Sequence, residues 1–131
     1  MIFLLIPILT ASAGQILFKK GMLELGNLDF SFSAIFYLIS RIFKNKWLIV
    51  GIIFYGTSFF SYLFALSYLQ LSIAYPVAVS FGIILVSLSS RFLFKESMTL
   101  YQILGIIIVI FGIAILANKW PSSPDFYHLL S

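Results

Sequence analysis

The sequence contains no cysteine and few charged residues, and these two features exclude whole classes of protein. Without cysteine there is no disulfide, no thiolate metal site and no cysteine nucleophile. Charged residues make up only 9% of the 131 residues and hydrophobic residues 62%, whereas an average soluble domain is roughly 25% charged. Such a composition cannot cover a soluble domain with a water-exposed surface, so we expect a membrane protein.

Acidic residues and histidine are also scarce, and none lies in a long apolar tract. They are Glu24, Asp29, Glu96, Asp125 and the single histidine, His128. A catalytic acid–base pair or a metal cluster needs several such groups close together, so we expect no enzyme activity, no metal site and no cofactor. The net charge of +4 suits contact with anionic lipid headgroups, and nucleic acid is not an expected partner.

Three tracts without any charged residue determine the number of membrane spans. They are residues 1–18, 47–90 and 97–118. About 20 helical residues cross a hydrocarbon core roughly 30 Å thick, so the first and third tracts supply one span each and the longer middle tract supplies two. The middle tract divides near Gln70, where Ser72 can cap a new helix and Pro76 lies near its first turn. The sequence therefore predicts an all-α membrane protein with four transmembrane helices, at about 2–20, 47–69, 73–93 and 100–118.

A short helix near residues 30–43 is expected between the first two spans. Its apolar side chains recur at helical spacing, but Arg41 and Lys44 interrupt the apolar run too early for a span. Such a helix lies in the membrane interface, and an incomplete fifth span is the alternative. The chain is thus expected to form one transmembrane domain, residues 1–118, followed by a short tail, residues 119–131.

The first apolar tract has an alternative interpretation as a cleaved signal peptide. Ala11-Ser12-Ala13 has the small-residue pattern of a cleavage site, but no lysine or arginine precedes the apolar run. We therefore expect this tract to remain as a transmembrane helix.

Basic residues are distributed unevenly between the two sides of the predicted bundle. Only Lys119 falls on the side of the termini, while seven others fall in the loops after the first and third spans: Lys19, Lys20, Arg41, Lys44, Lys46, Arg91 and Lys95. Because short cytoplasmic loops carry the excess of lysine and arginine, the sequence predicts that both loops are cytoplasmic and both termini lie outside.

Uncharged polar residues inside the spans are the candidate site. Gln15 lies one turn from Ala11 and Phe18 on the first span, Tyr55, Ser58 and Tyr62 share a face of the second, and Tyr75 begins the third. Polar groups in hydrocarbon are costly unless they are satisfied, so these residues can line a cleft for an amphipathic ligand, with Lys19 placed to pair with a phosphate. Two simpler roles stay open: hydrogen bonds between helices, and a lysine that only reaches the interface.

Small residues recur on helical faces and indicate close helix contacts. Ala74, Ala78 and Gly82 repeat every four residues on the third span, while Gly105 and Gly112 lie seven apart on the fourth. Packing within one bundle explains any such stripe. For Gly105 and Gly112 we favour contact with a second subunit, because four short spans enclose little volume.

Several of these motifs occur together in a known superfamily. They are Ala13-Gly14-Gln15 with Lys19, Leu71-Ser72-Ile73-Ala74-Tyr75-Pro76 with Gly82, Phe94-Lys95-Glu96, and Gly105 with Gly112. On these motifs the chain resembles the drug/metabolite transporter superfamily. Its four-span members are the small multidrug resistance exporters and the EamA-like flippase subunits.

A missing carboxylate separates these two branches. The exporters couple proton and substrate binding through a glutamate in the first helix, and alignment on Gly14 and Lys19 places Ala11 at that position. The motifs look most like those of the aminoarabinose-undecaprenyl phosphate flippase subunits of the bacterial inner membrane. This resemblance implies a pathway lined by Tyr75 and the residues around Gln15, and a subunit contact at Gly105 and Gly112 in a homodimer or in a heterodimer with a related small subunit.

The predicted function is therefore that of a transporter or flippase subunit in a lipid membrane. It would move a lipid-linked (polyprenyl phosphate-sugar) or amphipathic substrate by alternating access in a dimer. Two alternatives stay open: an exporter of small cationic or amphipathic compounds, and a non-transporting assembly subunit of a membrane complex.

Overall fold

Helices account for nearly all of the structure. The computed structural model describes residues 2–28 and 31–118. Its helices are α1 (Ile2–Leu25), α2 (Phe32–Lys44), α3 (Lys46–Leu66), α4 (Leu71–Leu93) and α5 (Leu100–Asn118). All but α2 are long and apolar enough to cross a membrane. The prediction of an all-α membrane protein with four transmembrane helices is confirmed.

The short helix α2 has the properties of a helix at a membrane surface. It begins at Phe32, has no buried residue, and exposes large aromatic side chains such as Phe36 and Phe43. It carries Arg41 and Lys44 in its last turn and contacts α3. Residue 30, where the sequence placed its start, and the predicted tail at 119–131 lie outside the described residues, so the division into a domain and a tail stays a prediction.

Helix α1 ends at Leu25 and not near residue 20, where the sequence analysis placed its end. The lysines at 19 and 20 mark the depth at which hydrocarbon gives way to the headgroups, and a helix can continue beyond that depth. The Lys20 ammonium lies 3.6 Å from the ring centroid of Trp47 on α3, a cation–π contact. Gly26 then adopts a φ of +71°, the left-handed conformation with which glycine terminates helices.

The connection between α3 and α4 also differs from the prediction. Helix α3 ends at Leu66 and α4 begins at Leu71, with Gln70 at the N-cap position. The predicted cap, Ser72, instead lies inside the first turn of α4. The start of α4 has no side-chain cap, and the turn is held by backbone bonds at the end of α3, where the Leu69 amide donates to the Ala65 carbonyl at 3.1 Å.

The closest packing joins α1 to α3, which run antiparallel. Glycines on both helices bring the backbones together, and a Cβ added to Gly14 would lie only 3.1 Å from the Gly51 carbonyl oxygen. At the end of the bundle near the α3–α4 turn, these helices and α4 share a buried apolar cluster formed by Leu4, Ile8, Ala65, Ala74 and Val77. Helix α5 packs on α4, and its apolar stretch is otherwise uncovered.

Candidate functional site

A cleft of about 430 Å³ opens between α1, α3 and α4. Helix α1 contributes one face at helical spacing, which includes Ala11, Ser12 and Gln15. The opposite walls carry Tyr55 and Tyr62 from α3 and Tyr75 from α4. Six of the nine residues predicted to bind substrate line this cleft: Ala11, Gln15, Tyr55, Ser58, Tyr62 and Tyr75.

The other three predicted residues lie around the cleft. Gly14 faces the backbone of Gly51 and Tyr55, so it sets the distance between α1 and α3. Phe18 packs against Tyr55, with ring centroids 5.9 Å apart, and supports that wall. Lys19 lies beyond the end of the cleft, where its ammonium is 2.7 Å from a carboxylate oxygen of Glu96.

A smaller cavity of about 220 Å³ connects the cleft with this ion pair. The two cavities share Gln15, Val86 and Ser87, and the smaller one also has Lys19 and Glu96 in its wall. A ligand can therefore place a neutral part in the cleft and an anionic part beside Lys19. Gln15 lies between these two regions.

The cleft itself is neutral and partly polar. No charged side chain is among its lining residues in the described part of the chain, and 2–28 and 31–118 contain no group of histidine, cysteine or acidic residues able to hold a metal. Ser58 is buried, and its hydroxyl donates to the Pro7 carbonyl at 2.8 Å. This hydrogen bond joins α3 to α1, and the hydroxyl can still accept another.

Two functional candidates in and near the cleft were missed by the sequence analysis. Ser12 lies on the same face of α1 as Ala11 and Gln15. Ser12 lies four residues after Ile8, which also lines the cleft, and this helical spacing could have identified it as a cleft residue. From the sequence, Glu96 was recognised only as part of the motif Phe94-Lys95-Glu96. Nothing in the sequence places the loop after α4 beside Lys19.

Glu96 is held as a carboxylate by its surroundings. The hydrogen bond from Lys19 and the positive charge of Lys19 lower the pKa of Glu96 below its ordinary value of 4.5, with partial desolvation acting in the opposite direction. Glu96 lines a surface depression together with Arg91 and Lys95. This end of the bundle thus carries an ion pair within a basic surface.

We expect Glu96→Gln to remove an acid-sensitive contribution to stability. A carboxylate whose pKa is lowered on folding stabilises the protein above its ordinary pKa, and the contribution is lost as pH falls through the lowered value. The thermal midpoint of the variant should therefore be lower than that of the wild type near pH 7, and the difference should begin to shrink below about pH 4.5 and vanish once pH is below the lowered pKa. Unfolding followed by circular dichroism in detergent across this pH range measures the difference. A constant difference at every pH would contradict it.

The helix arrangement and the neutral cleft define a small membrane transporter, and sequence comparison gives its family. Residues 31–109 match the family described as small multidrug resistance protein. This chain belongs to that family.

Curated relatives carry a more specific description. The chain is 28% identical over 116 residues, 88% of its length and 95% of the relative's, to the probable 4-amino-4-deoxy-L-arabinose-phosphoundecaprenol flippase subunit ArnE of Pseudomonas fluorescens. It is 46% identical over 72 residues to the protein of the same description from Hamiltonella defensa, covering 55% of this chain and 64% of that one. No solved structure matches the chain significantly. The predicted resemblance to small four-helix transporters close to these flippase subunits is confirmed.

Proposed function

We propose that this protein moves a polyprenyl phosphate-linked sugar across a bacterial inner membrane. The observation that carries the proposal is the neutral, tyrosine-lined cleft that continues to Lys19. Its polar and aromatic groups suit a sugar, and the lysine suits a phosphate. The names of the relatives, which describe flippase subunits for such a lipid, support this substrate class.

Each part of the substrate has a matching surface. Tyr55 and Tyr75 offer hydroxyl groups for hydrogen bonds and ring faces for the apolar side of a sugar. Lys19, which pairs with Glu96 in the structure, exchanges that carboxylate for the phosphate. The polyprenyl chain stays in the lipid, which the apolar walls at Val79 and Ile83 adjoin. Substrate moves without covalent change, so no enzymatic step is required.

The working unit in this proposal contains at least two subunits. Gly105 and Gly112 on α5 are exposed, and a Cβ added to either would have no neighbour within 4 Å. Such a strip of small residues admits a second helix at close range. The partner is a second copy of this chain or a related small four-helix subunit, and access to the cleft alternates as the subunits move against each other.

The orientation follows from the basic residues. We place the loops after α1 and α4 in the cytoplasm and both termini outside, because Lys19, Arg91 and Lys95 lie at the same end of the bundle as the start of α3. A cysteine introduced at Lys95 in this cysteine-free chain would then react with an impermeant reagent only from the cytoplasmic side.

Proteoliposomes test the proposed transport directly. The wild type, with any partner subunit, should move a fluorescent polyprenyl phosphate-sugar between leaflets, and Tyr75→Ala should slow it roughly tenfold by removing a hydrogen bond and a ring face. Tyr101→Ala is the matched control, because Tyr101 is 85% exposed on α5 and lies outside the cleft.

Three outcomes would contradict this proposal. One is wild-type protein that moves no such lipid. The second is equal activity of the Tyr75 and Tyr101 variants. The third is uptake of small cations that stops when the pH gradient is dissipated, which would favour the exporter activity of other family members.

A further inference from the structure

Two hydroxyl groups in the cleft are buried without a hydrogen-bond partner. They belong to Ser12 on α1 and Tyr62 on α3, and both residues line the cleft. Ser12 is only 5% exposed. A buried hydroxyl left without a partner costs about 1–3 kcal/mol, so a bundle held together only by its own contacts gains nothing from either group.

Other hydroxyl groups in the bundle bond to a carbonyl close by in the chain. Thr10 donates to the Ile6 carbonyl at 2.7 Å, and Thr57 donates to the Ile53 carbonyl at 2.8 Å, each one turn back in its own helix. Ser67 and Ser90 likewise donate to carbonyls three residues earlier. A partner within the helix is therefore commonly available to a hydroxyl in this fold. Ser12 makes no such bond, although the residue is part of the cleft wall.

The unpartnered pair lies away from the Lys19–Glu96 ion pair. Tyr62 packs against the buried apolar cluster at the end of the bundle near the α3–α4 turn. Ser12 precedes Lys19 by seven residues of α1, a distance of about 10 Å along the helix axis. A ligand that reaches from the lysine into the cleft meets Gln15 first and then this pair.

We propose that Ser12 and Tyr62 form a neutral hydrogen-bonding subsite for a hydroxyl group of the substrate's sugar. The inference rests on the function proposed above and adds the residues that recognise the head of the lipid. Each hydroxyl can donate and accept, so the pair suits an alcohol, which also does both. The sugar gives both groups a hydrogen-bond partner that the protein itself does not supply, whereas a lipid that ends at its phosphate leaves them unpaired. The pair therefore selects loaded over unloaded lipid.

Ser12→Ala and Tyr62→Phe test this subsite, because each removes a hydroxyl and little else. The purified wild type and variants are titrated in detergent with two probes: a short-chain polyprenyl phosphate bearing a sugar, and the same phosphate without the sugar. Each variant should bind the sugar-bearing lipid roughly five- to tenfold more weakly and the bare phosphate unchanged. Their thermal midpoints without ligand should equal or exceed that of the wild type, since an unsatisfied group has been removed.

Thr57→Val is the matched control, because its hydroxyl is satisfied by its own helix and lies outside the cleft. It should leave the affinity for both probes unchanged. The subsite is refuted if Ser12→Ala and Tyr62→Phe lower the thermal midpoint but not affinity, since the hydroxyls would then be structural. It is also refuted if both probes weaken equally, which indicates distortion of the cleft. If the wild type binds neither lipid, the proposed function itself fails, and the subsite with it.

Discussion

Replacing Gly105 and Gly112 by leucine is expected to abolish transport while each subunit remains folded. Both glycines are exposed on α5, and a Cβ at either position meets no atom within 4 Å, so a side chain can start from either position without a clash in the single chain. Against a second subunit the same side chains would hold the helices apart, because association in lipid depends on close contact at small residues. Without a partner subunit there is no second bundle against which this one can move, so alternating access is lost.

The measurements separate assembly from folding. Cross-linking or mass photometry in detergent should show monomers for the double variant, circular dichroism should show unchanged helicity, and the leaflet-exchange assay should fall to background. Ala114→Leu is the control, because it places the same side chain at an exposed position on another face of α5. A double variant that transports normally would exclude the glycine strip as the subunit contact.

Replacing Gly14 by leucine should destroy the cleft from within the subunit. An added Cβ would already lie 3.1 Å from the Gly51 carbonyl oxygen and 3.2 Å from the Tyr55 amide nitrogen. Both are backbone atoms and cannot rotate away, so the larger side chain must push α3 off α1. We expect a loss of stability of about 3 kcal/mol, at the upper end of the overpacking range, together with loss of ligand binding because Tyr55 moves.

Gly56→Leu provides the comparison on α3. A Cβ at Gly56 has no neighbour within 4 Å, so this variant should keep its activity and gain up to about 1 kcal/mol from the better helix-forming residue. Thermal unfolding in detergent and binding of the sugar-bearing lipid measure both effects. Equal behaviour of the Gly14 and Gly56 variants would show that the α1–α3 contact is looser than the structure has it.

The transmembrane helices could be located from charge placement and the length of each uncharged tract, but their ends could not. Hydrocarbon excludes charged side chains so strongly that three uncharged tracts fixed four spans. The end of α1 at Leu25 and the start of α4 at Leu71 depend on Gly26 and on backbone bonds in a turn. These local effects leave no trace in a hydropathy pattern.

The polar and aromatic residues of the candidate site could be predicted from the sequence, but their arrangement in space could not. A polar residue within an apolar tract, such as Gln15, is conspicuous because hydrocarbon penalises it. Ser12 is not, since serine commonly bonds to its own helix, and only the structure shows that this one does not. The pairing of Lys19 with Glu96 joins residues 77 positions apart in the sequence.

The sequence by itself therefore determined that this is a membrane protein with four transmembrane helices, because the cost of charge in lipid acts on each residue independently of its neighbours and leaves long uncharged tracts where the helices span. Only the tertiary structure decided which polar groups share a cleft, which are already satisfied and which glycines touch another helix. Those properties depend on distances between segments far apart in the chain, and close packing of side chains sets such distances.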